Sequence, residues 1–250
     1  MSHQLMKEKV FPSMEDNKPT IFLLLDNLRY DQWKIIEPIL MENFRVDDED
    51  FFYSILPTST QYSRNSIFAG MLPNDIYKHY KDLWVFDHEK DGKNNHEAEL
   101  LNKQVDRLVK KPLKTHYIKV TNAQKAKQFS DNIHNYLNND LTVVVYNFID
   151  MMSHARTEME VLKELAGDEK AYRSLTRSWF LNSPLWLSLQ KIADKDIQLF
   201  VTTDHGTIRV NQPSKVVGDR ETTTNLRYKT GRSLKSVSYT HLTLPTKRIV

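Results

Sequence analysis

The chain has 250 residues, 40% of them hydrophobic and 27% charged, with 35 basic against 32 acidic residues and a formal net charge of +3. That length suits one large α/β domain with a sizeable core, or two small ones, and the near-balanced charge makes no demand for nucleic acid. The absence of cysteine excludes disulfides, thiolate metal sites and a cysteine nucleophile together. Residues 1–19 are polar and mixed, carry no apolar signal-peptide region, and read as a linker entering the first strand. No run approaches the length of a membrane span, so a cytoplasmic protein without membrane insertion is expected.

Along the chain, TIFLLL (20–25) is a continuous apolar run of the kind shown by a strand buried on both faces. Leu28, Ile35, Ile39 and Leu40 then recur at helical spacings, with Pro38 set to kink or end that helix. An acidic turn (47–50) leads to FFYSIL (51–56), which reads as a second strand stopped by Pro57. Ser59 or Thr60 is placed to cap a helix running toward Phe68. Residues 73–112, rich in Tyr, Trp, Lys, Asp and His, read as an inserted cap over the strand edge. Strands are then expected over 116–120, 141–149 and 197–202, with helices over 123–137 and 172–193, the latter interrupted near Pro184. Strands alternating with helices imply a doubly wound, mostly parallel α/β sheet flanked by helices.

Chemistry-bearing residues collect where the expected strands end. Asp26 follows the first apolar run, Asp150 follows LTVVVYNFI with His154 four residues on, and Asp204-His205-Gly206 follows IQLFVTT. In open α/β sheets ligands bind beyond the carboxyl ends of strands. Carboxylate and imidazole suit zinc or a similar divalent ion. Taken singly each Asp is as readily a cap or turn residue, and a lone Asp-x-x-x-His is an ordinary surface pattern. Three strands delivering such residues to one edge point to a two-metal phosphoryl-transfer site. Thr60 opens a helix, whose N-terminus favours a phosphate, and its hydroxyl needs a metal or base to become a nucleophile. Arg64, one turn on, is a candidate phosphate contact, with an exposed helix arginine as the equal alternative, and Arg29 is read as solvating the first helix.

The segments LLLDNLRYDQW, LPTSTQYSRNSIFAG, NFIDMMSHAR and TTDHG closely resemble the PglZ domain of the alkaline phosphatase superfamily. More narrowly they are similar to the effector domain of PorX-type response regulators, linked to type IX secretion in Bacteroidota. The resemblance implies two divalent metal ions, zinc or alternatively manganese, flanking a Thr nucleophile. By motif, Asp26, Thr60, Asp204 and His205 would hold the first ion, and Asp150 and His154 the second. The second threonine of PTxT is the nucleophile in related phosphodiesterases, which selects Thr60 over Thr58. The implied activity is a phosphodiesterase or phosphatase acting on a phosphoester such as an oligonucleotide or cyclic nucleotide, as output domain of a two-component response regulator. Its implied partners belong to secretion regulation or transcription. The rival expectation is a non-catalytic output module that binds a partner and keeps the metal for structure.

Residues 235–250 resemble the translated read-through of a sequencing adaptor, which would confine the domain to residues 20–234. On that reading the third ligand of the second metal, a late histidine, is missing, and His241 in the tail does not replace it. A chain cut in this way is expected to be catalytically weak or inactive.

Overall fold

The computed structural model describes residues 1–86, 89, 92–208, 214–218, 229 and 234–236. The strands expected at 20–25, 141–149 and 197–202 are found at 20–25, 141–146 and 198–202 and form the core of the sheet. Four parallel strands, β1 (Thr20–Leu25), β2 (Thr115–Val120), β3 (Leu141–Tyr146) and β4 (Gln198–Thr202), lie in the order β2-β3-β1-β4. Every residue of β1 and β3 is buried. This follows from their unbroken apolar runs, since a central parallel strand is covered on both faces.

The two-residue period of β1 divides the core. Ile21, Leu23 and Leu25, with Val144 and Tyr146 of β3, face one helical layer. That layer is built from α2 (Tyr30–Leu40), α6 (Ala123–Asp131), α7 (Ile133–Tyr136), α10 (Glu169–Leu181) and α11 (Pro184–Lys191). Phe22 and Leu24, with Val143 and Val145, face a second layer holding α3 (Thr60–Ala69), α4 (Pro73–His79) and α5 (Glu97–Leu108). Pro38 lies inside α2 without stopping it; the helix runs on to Leu40. Between β3 and α10 come α8 (Phe148–Glu158) and α9 (Glu160–Leu165). Val216–Gly218 (β5) and Leu234–Ser236 (β6) pair antiparallel as a separate ribbon.

Three expectations are corrected. Residues 1–19 are not a simple linker: Ser2–Gln4, Met6–Val10 and α1 (Phe11–Ser13) form successive helical turns. Met6 and Val10, one turn apart, are fully buried in the second layer. Residues 51–56 are not a strand. They cross the surface irregularly with Tyr53 84% and Leu56 80% exposed, so no sheet neighbour covers them. The main chain there is held by the N-terminal turn instead: Ser2 N–H donates to Tyr53 O (3.2 Å) and Ile55 N–H to Ser2 Oγ (3.0 Å). Finally, α4 and α5 do not simply cap the strand edge. Ile76, Leu100, Leu101 and Val105 pack them into the second layer, while Asn94 and the start of α5 at Glu97 reach Thr60 and Arg64.

α3 ends where Gly70 takes a left-handed conformation (φ +61°). A Cβ there would collide with the Gln104 side chain of α5, so the same glycine sets both the stop of α3 and its close approach to α5.

Candidate metal centre

The carboxyl ends of β1, β3 and β4 share one edge of the sheet, and β1 lies between the other two. Asp26 N–H continues the ladder by donating to Tyr146 O at 3.0 Å, which fixes where its carboxylate leaves the strand. The next residue, Asn27, sits at φ 62°, a conformation asparagine tolerates better than most residues. That turn lets Asn27, at the end of β1, reach both the loop after β4 and the first turn of α8. Its N–H donates to Asp204 Oδ1 (3.2 Å) and its Nδ2 to Asp150 Oδ1 (3.0 Å). Leu28 N–H donates to Thr203 Oγ1 (3.0 Å), which donates on to His205 O (2.7 Å). The loops after β1 and β4 are thereby laced together.

Within this frame Asp26, Asp204 and His205 are buried, and one ligand atom from each lies within 4.8 Å of the others. Thr60, the first residue of α3, places Oγ1 3.0 Å from His205 Nε2 and 3.4 Å from Asp26 Oδ1. The two carboxylates are used asymmetrically. Asp26 Oδ2 accepts from Arg64 Nη1 at 2.5 Å, leaving Oδ1 toward Thr60 and His205. Asp204 Oδ1 accepts from Asn27 N–H and from His205 N–H (2.9 Å), while its Oδ2 is buried without a hydrogen-bond partner. A buried carboxylate oxygen left in this state is costly unless it meets a cation. Asp26 Oδ1, Asp204 Oδ2, His205 Nε2 and Thr60 Oγ1 are thus the atoms a divalent ion would use, and oxygen with imidazole nitrogen suits such an ion. The donor set fits a metal. Burial, and next the nearby Asp26 carboxylate, push the Asp204 carboxyl well above the usual carboxylate range, against the pull of Arg64.

The second pair is built differently. β3 stops at Tyr146, so Asp150 is not a strand-end residue but lies in the first turn of α8. His154, one helical turn on, has Nε2 3.6 Å from Asp150 Oδ2, and its side chain is 67% exposed. Burial, then Asp26, raise the Asp150 carboxyl, with His154 and Asn27 opposing. Asp150 and His154 stand beside the buried group through Asn27, outside it. His241 lies outside the described residues.

Arg64 is corrected in role. Its side chain is 2% exposed, fixed by Asp26 and by Glu97, with Asp204 Oδ2 3.8 Å away. It cannot swing out to a phosphate without abandoning two buried carboxylates. Burial opposes its charge, yet Glu97, Asp26 and Asp204 hold it protonated even more firmly than usual. Arg29 is also more than a solvated helix residue: it pairs with Asp31 and Glu169 and lies 5.7 Å from the centre of the Tyr172 ring.

Sequence reasoning passed over Asn27, Glu97 and Ser54. Asn27 carried a readable signal, an Asn directly after a strand-end Asp. Glu97 carried none, being one acidic residue at the start of an amphipathic helix. Ser54 donates to Asp204 O at 2.7 Å, a contact made by the irregular segment 51–56, whose apolar run suggests a strand. Beside the site opens a cleft of about 1740 Å³, with Leu28, Tyr30, Phe51, Thr203, Asp204 and His205 in its walls. Among the described residues no helix is long and apolar enough to cross a membrane.

No curated protein matches this chain. The family model described as the BREX system PglZ alkaline phosphatase-like domain matches residues 5–250, running through the segment set apart above as a tail, and the chain belongs to that family.

Proposed function

We propose that this domain is a metal-dependent phosphoesterase, a phosphodiesterase acting on nucleotides or oligonucleotides, with Thr60 as nucleophile. The observation that carries the reading is the convergence of Thr60 Oγ1 on His205 Nε2 and Asp26 Oδ1 beside the Asp204 Oδ2 that accepts no hydrogen bond. Asp26, Thr60, Asp204 and His205 would hold one divalent ion, and Asp150 with His154 would contribute to a second; zinc is the first choice and manganese the alternative. When bound, such ions would ease ionisation of the Thr60 hydroxyl and neutralise charge on the phosphoryl oxygens.

The chain's own residues supply position. Thr60 is the first residue of α3, so its hydroxyl and the helix N-terminus face a phosphate together. Thr60 Oγ would form a bond to phosphorus as the bond to the leaving alkoxide breaks. Water would then cleave the phosphothreonine and return the hydroxyl. The adjoining cleft exposes Tyr30 and Phe51, whose rings meet edge-on at 5.1 Å, and such aromatic faces suit a base.

By its likeness to PorX-type effectors, the domain would serve as output of a response regulator. Exposed Met159, Val161 and Leu165 on and beside α9 favour a second reading, a partner-binding output module. Thr60→Ala separates the two. Hydrolysis of a chromogenic phosphodiester in zinc or manganese should fall at least about 100-fold, with zinc still bound. Activity retained at matched metal content would remove Thr60 as nucleophile, and absence of any hydrolysis by wild-type protein with both metal sites filled would favour the partner-binding reading.

A further inference from the structure

Behind the nucleophile lies a buried polar group that the proposed chemistry does not itself use. Glu97, at the first turn of α5, is 1% exposed and accepts from Arg64 Nε, from the Tyr117 hydroxyl of β2 and from Lys119 Nζ at 3.1 Å. Lys119 Nζ also donates to Asn94 O (2.8 Å), and Asn94 Nδ2 donates to Thr60 O (3.2 Å). Glu97 therefore has both oxygens occupied by donors from α3 and β2. Its hold on Arg64 Nε leaves Nη1 for Asp26 Oδ2.

We infer that Glu97 is a positioning residue for the metal centre: it locks the Arg64 guanidinium so that one Asp26 oxygen is occupied and the other is left aimed at the ion. The inference rests on the metal-dependent reading above. Three features support it. Arg64 is the cation in hydrogen-bond contact with Asp26 among the described side chains, and a guanidinium has the rigid fork needed to serve two carboxylates at once. Arg64 and Thr60 are one turn apart on α3, so fixing Arg64 also fixes the start of the helix that carries the nucleophile. The charges also require it. Arg64 alone against Asp26 and Asp204 would sit midway between them, since its Nη1 is already 3.8 Å from Asp204 Oδ2. Glu97 and Asp26 hold the guanidinium at ion-pair distance from Asp204, whose Oδ2 accepts no hydrogen bond from it. Residues that orient ligands in this way govern metal affinity although they never touch the ion.

The test is calorimetric titration of zinc into the chelator-treated full chain, with folded fraction checked by circular dichroism. Glu97→Gln keeps the shape of the side chain and removes its charge. It should weaken zinc binding about 10- to 100-fold, because Arg64 is freed to close from 3.8 Å to hydrogen-bond contact with Asp204 Oδ2. Arg64→Lys keeps the positive charge and loses the fork, and the same loss is expected; it decides the matter if Glu97→Gln does not fold. A purely structural role would lower thermal stability and leave the zinc affinity of the folded protein unchanged, which overturns the inference alone. Wild-type protein that binds neither zinc nor manganese overturns the metal reading, and this inference with it.

Discussion

Asp204 shows what a buried carboxylate costs when no metal ion meets it. The group is fully buried, and burial and then Asp26 raise its pKa; the same two causes raise that of Asp150. The sign follows from linkage. A carboxyl whose folded pKa exceeds its unfolded value binds its proton more tightly when folded. The penalty is therefore absent below the unfolded carboxylate pKa and complete above the raised folded one. Chelator-treated protein should lose stability as pH rises through that window. Asp204→Asn should flatten the loss and stabilise the metal-free chain by on the order of 1 kcal/mol at neutral pH, while abolishing tight zinc binding. Its Oδ1 keeps both backbone donors, from Asn27 and His205. Urea unfolding across pH, with and without zinc, measures both effects. A metal-free Asp204→Asn protein less stable than wild type would show that the buried carboxylate is not under strain.

At the scale of elements, the strands were legible and the segments that brace them were not. β1 and β3 announced themselves because a strand covered on both faces needs an unbroken apolar run. FFYSIL offered the same signal for a different reason. Ile55 is buried and Phe52 half-buried against the second layer, whereas Phe51, Tyr53 and Leu56 are exposed, so composition alone suggested a strand. The N-terminal turns were missed because the apolar positions Leu5, Met6, Val10, Phe11 and Met14 are interspersed with the charged residues Lys7, Glu8 and Lys9, and Pro12 follows in a segment too short for a sustained helical pattern. They have consequences that a linker would not. Deleting residues 1–13 should cost at least about 3 kcal/mol, at roughly 1.5–3 kcal/mol for each of Met6 and Val10. It should also release residues 51–57, because the donor and acceptor of Ser2 hold Tyr53 and Ile55. Ser54 would then leave Asp204 O, and turnover should fall further than the lost stability explains. Urea midpoints and hydrolysis on folded protein check this; a deletion as stable as the parent would return the segment to linker status.

Across the whole molecule, the sheet order decides which residues can meet. With β1 between β3 and β4, Asp26 is central, Asp204 and His205 approach from one side, and Asp150 and His154 from the other. Sequence revealed that these residues lie after strands, but not that the two sides differ in depth. On the β4 side, Asp26, Asp204 and His205 are buried and each carboxylate has one oxygen already fixed. On the β3 side, Asp150 accepts a hydrogen bond from Asn27 Nδ2 and faces His154 at 3.6 Å, and His154 stands largely in water on α8. Preorganised donors spare a bound ion the ordering of its own ligands. Zinc titration should therefore resolve two classes of site, the first at least about tenfold tighter than the second, since hydrogen bonds that hold the ligands in place are alone worth that much. Asp150→Asn should erase the weaker class and leave the tighter one in place, while Asp204→Asn does the reverse damage. The ordering carries over to catalysis: at zinc concentrations that fill only the tight site, Thr60 would be poised but the flank at Asp150 and His154 undersupplied, so turnover should track filling of the weaker class. Equal affinities, or activity complete at one equivalent of zinc, would show that the difference in burial between the two flanks has no bearing on metal binding.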